Sequence, residues 1–337
     1  MKDYQFIQKQ VIKQSKAFWK ALVNNAFFVV FPLLLFSIFL ILSVLQKTLQ
    51  QRTQNLLVLS VPFSMPSPAL YPVITNAVLG ASAGASLDSF KSVALSALGA
   101  VVMDDASKVI LFSKNQDLRF SMASTTKIMT ALVALEYYDI HDVLTVKTDH
   151  IEGTTLGFKT GTKFVFEDLL YAMMLPSSND AALTIAQNYP GGESAFVAKM
   201  NEKAQELHLY KTNFADPAGL EDEGDYTTVV DLARLASEAV KNDTLRRIVG
   251  TKQKIITDVD GSQQYVLINI NKLLGVDGVN GIKTGFTDEA GGVLVTSKIE
   301  QGHTLLLVVM KSENRFTDTE KLLSLISGKL TFQPIQP

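Results

Sequence analysis

Cysteine is absent from this sequence. That excludes disulfides, thiol nucleophiles and zinc held by thiolates. Histidine is scarce. His141, His150, His208 and His303 are scattered, and no H-E-x-x-H pairing joins any two of them. Each is expected to be structural or exposed, and no metal or other cofactor is expected. An excess of charge of one sign is missing as well. The formal net charge is −2 and no long block of like charge occurs, which argues against a nucleic-acid footprint. No internal repeat and no low-complexity tract stands out. The 337 residues suffice for one or two domains.

What the chain does have is one long apolar run. Residues 21–46 carry no charged side chain, and Ala26–Leu45 is apolar with Pro32 and Ser37 among its few interruptions. A helix of that length rises about 30 Å, the thickness of a bilayer core. Lys2, Lys9, Lys13, Lys16 and Lys20 precede it against the single Asp3, while Lys47 and Arg52 follow. The excess of lysine before the run predicts a cytoplasmic N-terminus and an extracytoplasmic remainder. A cleaved signal peptide would have a shorter apolar core and a nearby small-residue site. The small-residue cluster Ala81–Ala85 lies far downstream, so a retained single-pass anchor is expected. The organisation read from these features is a basic segment (1–25), a transmembrane anchor (26–45), a linker (46–91), a catalytic domain (92–330) and a short tail (331–337). The linker holds Pro62, Pro66, Pro68 and Pro72, which break regular structure.

Within the domain, residues 97–104 and 109–113 read as a hairpin. A helix is expected from Ser124 to about Tyr138, apolar on most faces and therefore central. Further helices are expected over 167–175, 180–187, 193–207 and 227–241, the last with a threonine cap. Strand pairing is expected between 252–258 and 265–269. Strand-like segments follow at 279–285, 292–298 and 303–311, with a turn over 286–291 between the first two. The run Thr304–Met310 has the character of a strand buried on both faces. A helix over 317–326 closes the domain. Strands at both ends with helices between imply one mixed sheet with a helical insertion.

Three short motifs carry the chemistry. Ser124-x-x-Lys127 opens the first helix, where positions three apart are neighbours, so a hydroxyl stands beside an amine that could serve as its base. Alone, such a serine reads as a helix cap. Ser177-x-Asn179 lies at the break after Pro176, and Lys283-Thr284-Gly285 lies on a strand. In this order the three motifs form the set of active-site serine acyl-transfer enzymes. Ser124 would attack a carbonyl carbon. Lys127 must be neutral to accept its proton, which burial and a neighbouring cation such as Lys283 would favour. Ser177 could relay a proton to a leaving amine, Asn179 could hold a substrate amide, and Lys283 with Thr284 could hold a carboxylate. Gly285 would let a substrate backbone lie against the strand. A second K-T-G, Lys159-Thr160-Gly161, precedes Ser177 and reads as a structural turn.

Around these motifs the sequence resembles the low-molecular-mass penicillin-binding proteins, the serine-type D-Ala-D-Ala carboxypeptidases of peptidase family S11. The resemblance rests on Ala100–Asp104, Asn115, Met122–Leu135, Glu167–Ala182, Asp216–Leu220 and Val279–Thr287, and covers roughly residues 92–330. It implies an α+β, serine-β-lactamase/DD-peptidase (transpeptidase-like) fold: a helical cluster on a mainly antiparallel five-stranded sheet. It implies Ser124 as acylated nucleophile, Lys127 as proton acceptor, Ser177 as third catalytic group and Lys283 as carboxylate contact. The backbone N–H groups of Ser124 and Phe286 would form the oxyanion hole. The implied partners are peptidoglycan stem peptides ending in D-Ala-D-Ala, with β-lactams as covalent inhibitors.

Some features depart from the family pattern. Ser178 stands where the family usually has glycine. No E-x-x-L-N pattern follows to activate a deacylating water, and Glu221, Asp222, Glu223 and Asp225 read as a solvated acidic loop. The second β-rich domain and C-terminal anchor of many members do not follow Lys283, so the N-terminal segment is expected to act as anchor. A β-lactamase, an endopeptidase and a non-catalytic peptidoglycan-binding protein of the same fold remain open at this point.

Overall fold

A computed structural model describes residues 15–16, 93–220 and 223–330. The expected transmembrane segment, 26–45, lies outside the described residues, as do the whole linker, 46–91, and the tail, 331–337. Among the described residues no helix is long and apolar enough to cross a membrane.

The hairpin at the head of the domain is present: β1 (Gly99–Asp104) pairs antiparallel with β2 (Ile110–Lys114). A short strand β3 (Phe120–Ser121) leads into a 3₁₀ turn, Ala123–Thr126, and then helix α1 (Lys127–Tyr137). Strands β4 (Val143–Thr145) and β5 (Lys163–Val165) form a small ribbon. Helices α2 (Phe166–Met174), α3 (Asn179–Asn188) and α4 (Gly192–Glu206) follow. Strand β6 (Tyr226–Thr227) pairs with β3. Helix α5 (Val229–Lys241) starts at Thr228, whose side chain accepts the Asp231 N–H at 3.1 Å, one residue inside the expected start. Helix α6 (Asp243–Val249) is additional to the expected set. Strands β7 (Gln253–Thr257) and β8 (Gln264–Ile268) pair as expected. Strands β9 (Val279–Thr287), β10 (Gly291–Glu300) and β11 (His303–Ser312) precede α7 (Arg315–Ile326).

The main sheet runs β2-β1-β11-β10-β9, and every neighbouring pair is antiparallel. The expected mixed sheet is therefore corrected. Short turns join β1 to β2, β9 to β10 and β10 to β11, and a tight turn returns the chain antiparallel. The expected turn over 286–291 is also too long, because Phe286 and Thr287 remain paired with Gly292 and Gly291.

Strand periodicity sends alternate residues to opposite faces. On β11, Leu306, Val308 and Met310 enter one core with Val101 and Met103 of β1 and the inner faces of α1–α6. Leu305, Leu307 and Val309 enter a second core with Ala100, Val102 and α7 residues Leu322, Leu323 and Ile326. Both faces of the strand are covered, which explains the unbroken apolar run. The sheet is thus a middle layer. The helical cluster on its first face surrounds α1, buried on every side from Lys127 to Ala134.

Truncating Leu306, fully buried in the first core, to alanine should cost about 2–5 kcal/mol in denaturant-unfolding free energy. Ile268→Ala, at a position 61% exposed, should change it by less than about 0.5 kcal/mol. Equal effects would contradict the two-core arrangement.

Candidate active site

Ser124 sits in the 3₁₀ turn immediately before α1 rather than in the α-helix itself. In a 3₁₀ turn residues i and i+3 eclipse, which aligns Ser124 with Lys127. The Lys127 amine lies 3.0 Å from Ser124 Oγ, 2.8 Å from Asn179 Oδ1 and 2.7 Å from the Ala218 carbonyl oxygen. The side chain is fully buried.

Burial pushes the Lys127 amine down to about 7, against the attraction of Asp216, Asp225 and Asp180, in that order. Desolvation therefore outweighs the attraction of its acidic neighbours. Repulsion between the Lys127 and Lys283 amines is mutual and disfavours the charged form of both. Lys283 is itself fully buried, and its amine is held well below its ordinary range by desolvation first, then by the charges of Lys127 and Arg315.

The neutral form of Lys127 has a fixed orientation. A neutral amine offers two N–H donors and one lone pair. Asn179 Oδ1 and the Ala218 carbonyl can only accept, so they take both hydrogens. The lone pair is left facing the Ser124 hydroxyl, which can donate. The Asn179 amide is oriented independently, because its Nδ2 donates to the Glu152 carbonyl at 2.8 Å.

A second lysine–serine pair faces the first. Lys283, on β9, donates to Ser177 Oγ at 2.8 Å and to the Thr284 carbonyl at 3.0 Å. Ser177 has a left-handed backbone, φ +70°, which for a non-glycine residue stores about 1 kcal/mol or more. Pro176 ends the preceding helix, and the Ser177 side chain is held at Lys283. Ser178 turns away from the site and hydrogen-bonds Asp180. Asp180 in turn accepts the backbone N–H groups of Leu156, Gly157 and Phe158 at 2.9–3.1 Å. It fixes the loop that supplies the Glu152 carbonyl to Asn179.

Gly285 serves the packing of the nucleophile turn. A Cβ there would stand 3.2 Å from the Ser124 backbone nitrogen and 3.1 Å from the Met122 carbonyl oxygen. The missing side chain lets β9 close against the nucleophile turn, and so brings the Ser124 N–H beside the Gly285–Phe286 segment. Phe286 itself is 61% exposed at the site mouth. Gly219, φ +79°, approaches the same turn from the other side, where a Cβ would collide with the Ala123 carbonyl. Lys159, Thr160 and Gly161 are exposed and remote in role. Thr160 Oγ1 donates to Asp149.

Ser124, Lys127 and Asn179 meet directly, Ser177 meets Lys283, and the charge of Lys127 reaches Lys283; Thr284 takes part through its backbone carbonyl. Sequence reasoning missed Arg315. Its guanidinium is partly buried, its charge reaches Lys283, and its Nε has no hydrogen-bond partner among the described residues. Only its place at the N-terminus of α7 hid it, for nothing in the local sequence ties it to β9. The acidic loop is also corrected. Asp225 is 1% exposed rather than solvated, and Asp216, 8% exposed, accepts three backbone N–H groups. Glu221 and Asp222 lie outside the described residues.

With this geometry in hand, the comparisons are specific. The family model for D-alanyl-D-alanine carboxypeptidase, peptidase family S11, matches residues 86–314. The chain belongs to this family. It is 32% identical over 222 residues to the D-alanyl-D-alanine carboxypeptidase DacF of Bacillus subtilis, covering 64% of this chain and 57% of that protein. It is 32% identical to a D-alanyl-D-alanine carboxypeptidase of Streptomyces sp. strain K15, covering 68% of this chain and 87% of that one. A D-alanyl-D-alanine endopeptidase of Pseudomonas aeruginosa is also 32% identical, with 65% and 72% covered. The crystal structure of the Streptomyces K15 DD-transpeptidase superposes with a TM-score of 0.66 at 32% identity over 69% of this chain and 97% of that one. The S11 fold is thus that of the DD-transpeptidases, helices on an antiparallel five-stranded sheet.

Gly219→Ala should destabilise the domain by more than about 2 kcal/mol, because it adds both a steric collision and a positive-φ penalty. Gly285→Ala meets only contacts that a small shift relieves, and should cost less in stability. Thermal melts of the two variants check this ranking, and the reverse order would contradict the packing of the nucleophile turn.

Proposed function

We propose that this S11 protein is a serine-type D-alanyl-D-alanine carboxypeptidase that removes the terminal D-Ala from peptidoglycan stem peptides through an acyl-enzyme on Ser124. The observation that carries this reading is the buried Lys127 amine, 3.0 Å from Ser124 Oγ, whose two hydrogens are taken by Asn179 and Ala218.

In this mechanism the lone pair of Lys127 takes the Ser124 proton as Oγ attacks the carbonyl carbon of the penultimate D-Ala. The negative charge that develops on the carbonyl oxygen is met by the backbone N–H groups of Ser124 and Phe286. Ser177, held by Lys283, relays the proton taken up by Lys127 to the departing D-Ala nitrogen, which leaves Lys127 neutral again and the acyl group on Ser124. The leaving residue carries a carboxylate. In this reading Lys283, the Thr284 hydroxyl and Arg315 receive it. An arriving carboxylate restores the charged form of Lys283, because an opposite charge nearby favours the ammonium ion. Water then hydrolyses the ester. Asn179 orients the substrate amide as well as Lys127.

A class A β-lactamase requires a carboxylate placed to activate the deacylating water. Asp225 is buried beside Asp216 and Glu223 is exposed, so neither supports that reading. The endopeptidase names among the relatives favour a second reading, cleavage of cross-linked peptides at the same serine. For location, the apolar run 26–45 and its lysine-rich flank support a membrane-anchored protein with the domain outside the cytoplasm.

Labelled penicillin should attach covalently to the wild type and not to Ser124→Ala; labelling of that variant would sink the assignment. Mass spectrometry of a pentapeptide digest should show loss of one D-Ala. Lys127→Met should slow acylation about 10²–10⁴-fold. Because only the neutral amine accepts the proton, acylation should rise with pH and level off above about 7. Arg315→Gln should raise KM for the peptide more than it lowers kcat, and a pure kcat loss would remove Arg315 from carboxylate recognition.

A further inference from the structure

The turn that delivers the Ala218 carbonyl to Lys127 is built on two carboxyl groups. Asp216 accepts the N–H groups of Ala218 at 2.5 Å, Gly219 at 2.7 Å and Leu220 at 2.7 Å. Those bonds curl residues 216–220 so that the Ala218 oxygen points at the amine. Asp225 stands behind it, 1% exposed, with Oδ1 accepting the Ala215 N–H at 2.9 Å. Its other oxygen, Oδ2, is buried and receives no donor among the described residues. The Asp225 side chain lies in hydrogen-bonding contact with that of Asp216. Two buried carboxylates in contact cannot both be ionised without strong repulsion, and an acceptor without a donor is costly in a dry interior.

We infer that Asp216 and Asp225 share one proton, carried on Asp225 Oδ2 and donated to Asp216, so that the pair presents a single negative charge to Lys127 while Asp216 holds the Ala218 carbonyl in place. Asp225 is thereby a positioning residue of the acylation machinery. The inference rests on Lys127 as proton acceptor only for its catalytic consequence; the shared proton stands on the packing.

The charge count matters because Lys127 is faced by Asp216, Asp225 and Asp180 on one side and by Lys283 on the other. A second full charge on Asp225 would hold the Lys127 amine protonated to higher pH and remove the base at neutral pH. Burial, with the neighbouring Asp216 charge as the next cause, raises the Asp225 carboxyl to about 9, in keeping with a proton retained in the fold. The sign for stability follows. The folded chain keeps a proton that the unfolded chain releases above 3.8, the ordinary value. The aspartate therefore weakens the fold progressively as pH climbs from about 4 to about 9.

The test uses wild type and D225N, whose amide is neutral at every pH and donates to Asp216. In protein labelled at the aspartate carboxyl carbon, carbon NMR at pH 7 should show one buried carboxyl in its protonated form, absent from D225N. The melting temperature of D225N should match wild type near pH 4 and exceed it increasingly toward pH 8. The acid limb of penicillin acylation should keep its midpoint in D225N, because the charge facing Lys127 is unchanged. A limb displaced to lower pH, parallel melting curves, or the absence of a protonated carboxyl in wild type would each overturn the proposal. The NMR measurement needs no variant to fold, and it fails or succeeds independently of whether the protein cleaves D-Ala.

Discussion

Lys127 brings an amine into a fully buried position with carboxylates, carbonyls and a hydroxyl around it. A charged amine there would draw on Asp180 and on the single charge of the Asp216–Asp225 pair; a neutral one escapes the desolvation penalty. Desolvation wins, and the amine falls to about 7. Most of the site can be understood as the apparatus that makes this balance possible. The 3₁₀ turn aligns Ser124 with the amine, the start of α3 brings Asn179, and the Asp216 turn brings the Ala218 carbonyl. Each of the last two consumes a hydrogen of the neutral amine, so that the lone pair can face only the nucleophile.

The sheet explains how such a site can be held rigidly. Strand β11 divides its side chains between two cores, and β10 and β9 are laid in register beside it. Lys283 therefore stands on a strand whose position is fixed from both faces. Gly285 then allows β9 to touch the nucleophile turn directly. The two lysine–serine pairs come from three separate parts of the chain, and it is the contact between β9 and the start of α1 that turns them into one site. At Ser177 a left-handed backbone aims a hydroxyl at Lys283, and Ala123, beside the nucleophile, is left-handed as well.

Much of this is legible in the amino-acid sequence. The three motifs announce the catalytic groups because acyl transfer needs a hydroxyl, a base and a cation in order along the chain. Periodicity finds the principal helices and the buried β11 strand. What cannot be read are properties of packing across distant segments. Nothing near Asp225 in sequence distinguishes it from Glu223, yet one is buried and the other exposed. Gly285 reads as a gap for a ligand backbone, and nothing nearby in sequence shows that the nucleophile turn also packs against it. Arg315 is joined to Lys283 only through the stacking of α7 on β10, where a Cβ at Gly292 would stand 3.2 Å from the Arg315 Cβ. The strength of desolvation on Lys127 likewise depends on burial, and Lys283, the cation expected to neutralise it, is itself strongly perturbed.

The central claim is that Lys127 is neutral at the pH where Ser124 is acylated. It is tested most directly by following the lysine side-chain carbon and nitrogen resonances of the uncomplexed protein against pH, with Lys127→Met used to assign the signal. The account predicts one lysine that loses its proton near pH 7, well before the surface lysines. A Lys127 signal that remains in the ammonium form up to the ordinary lysine range would contradict it.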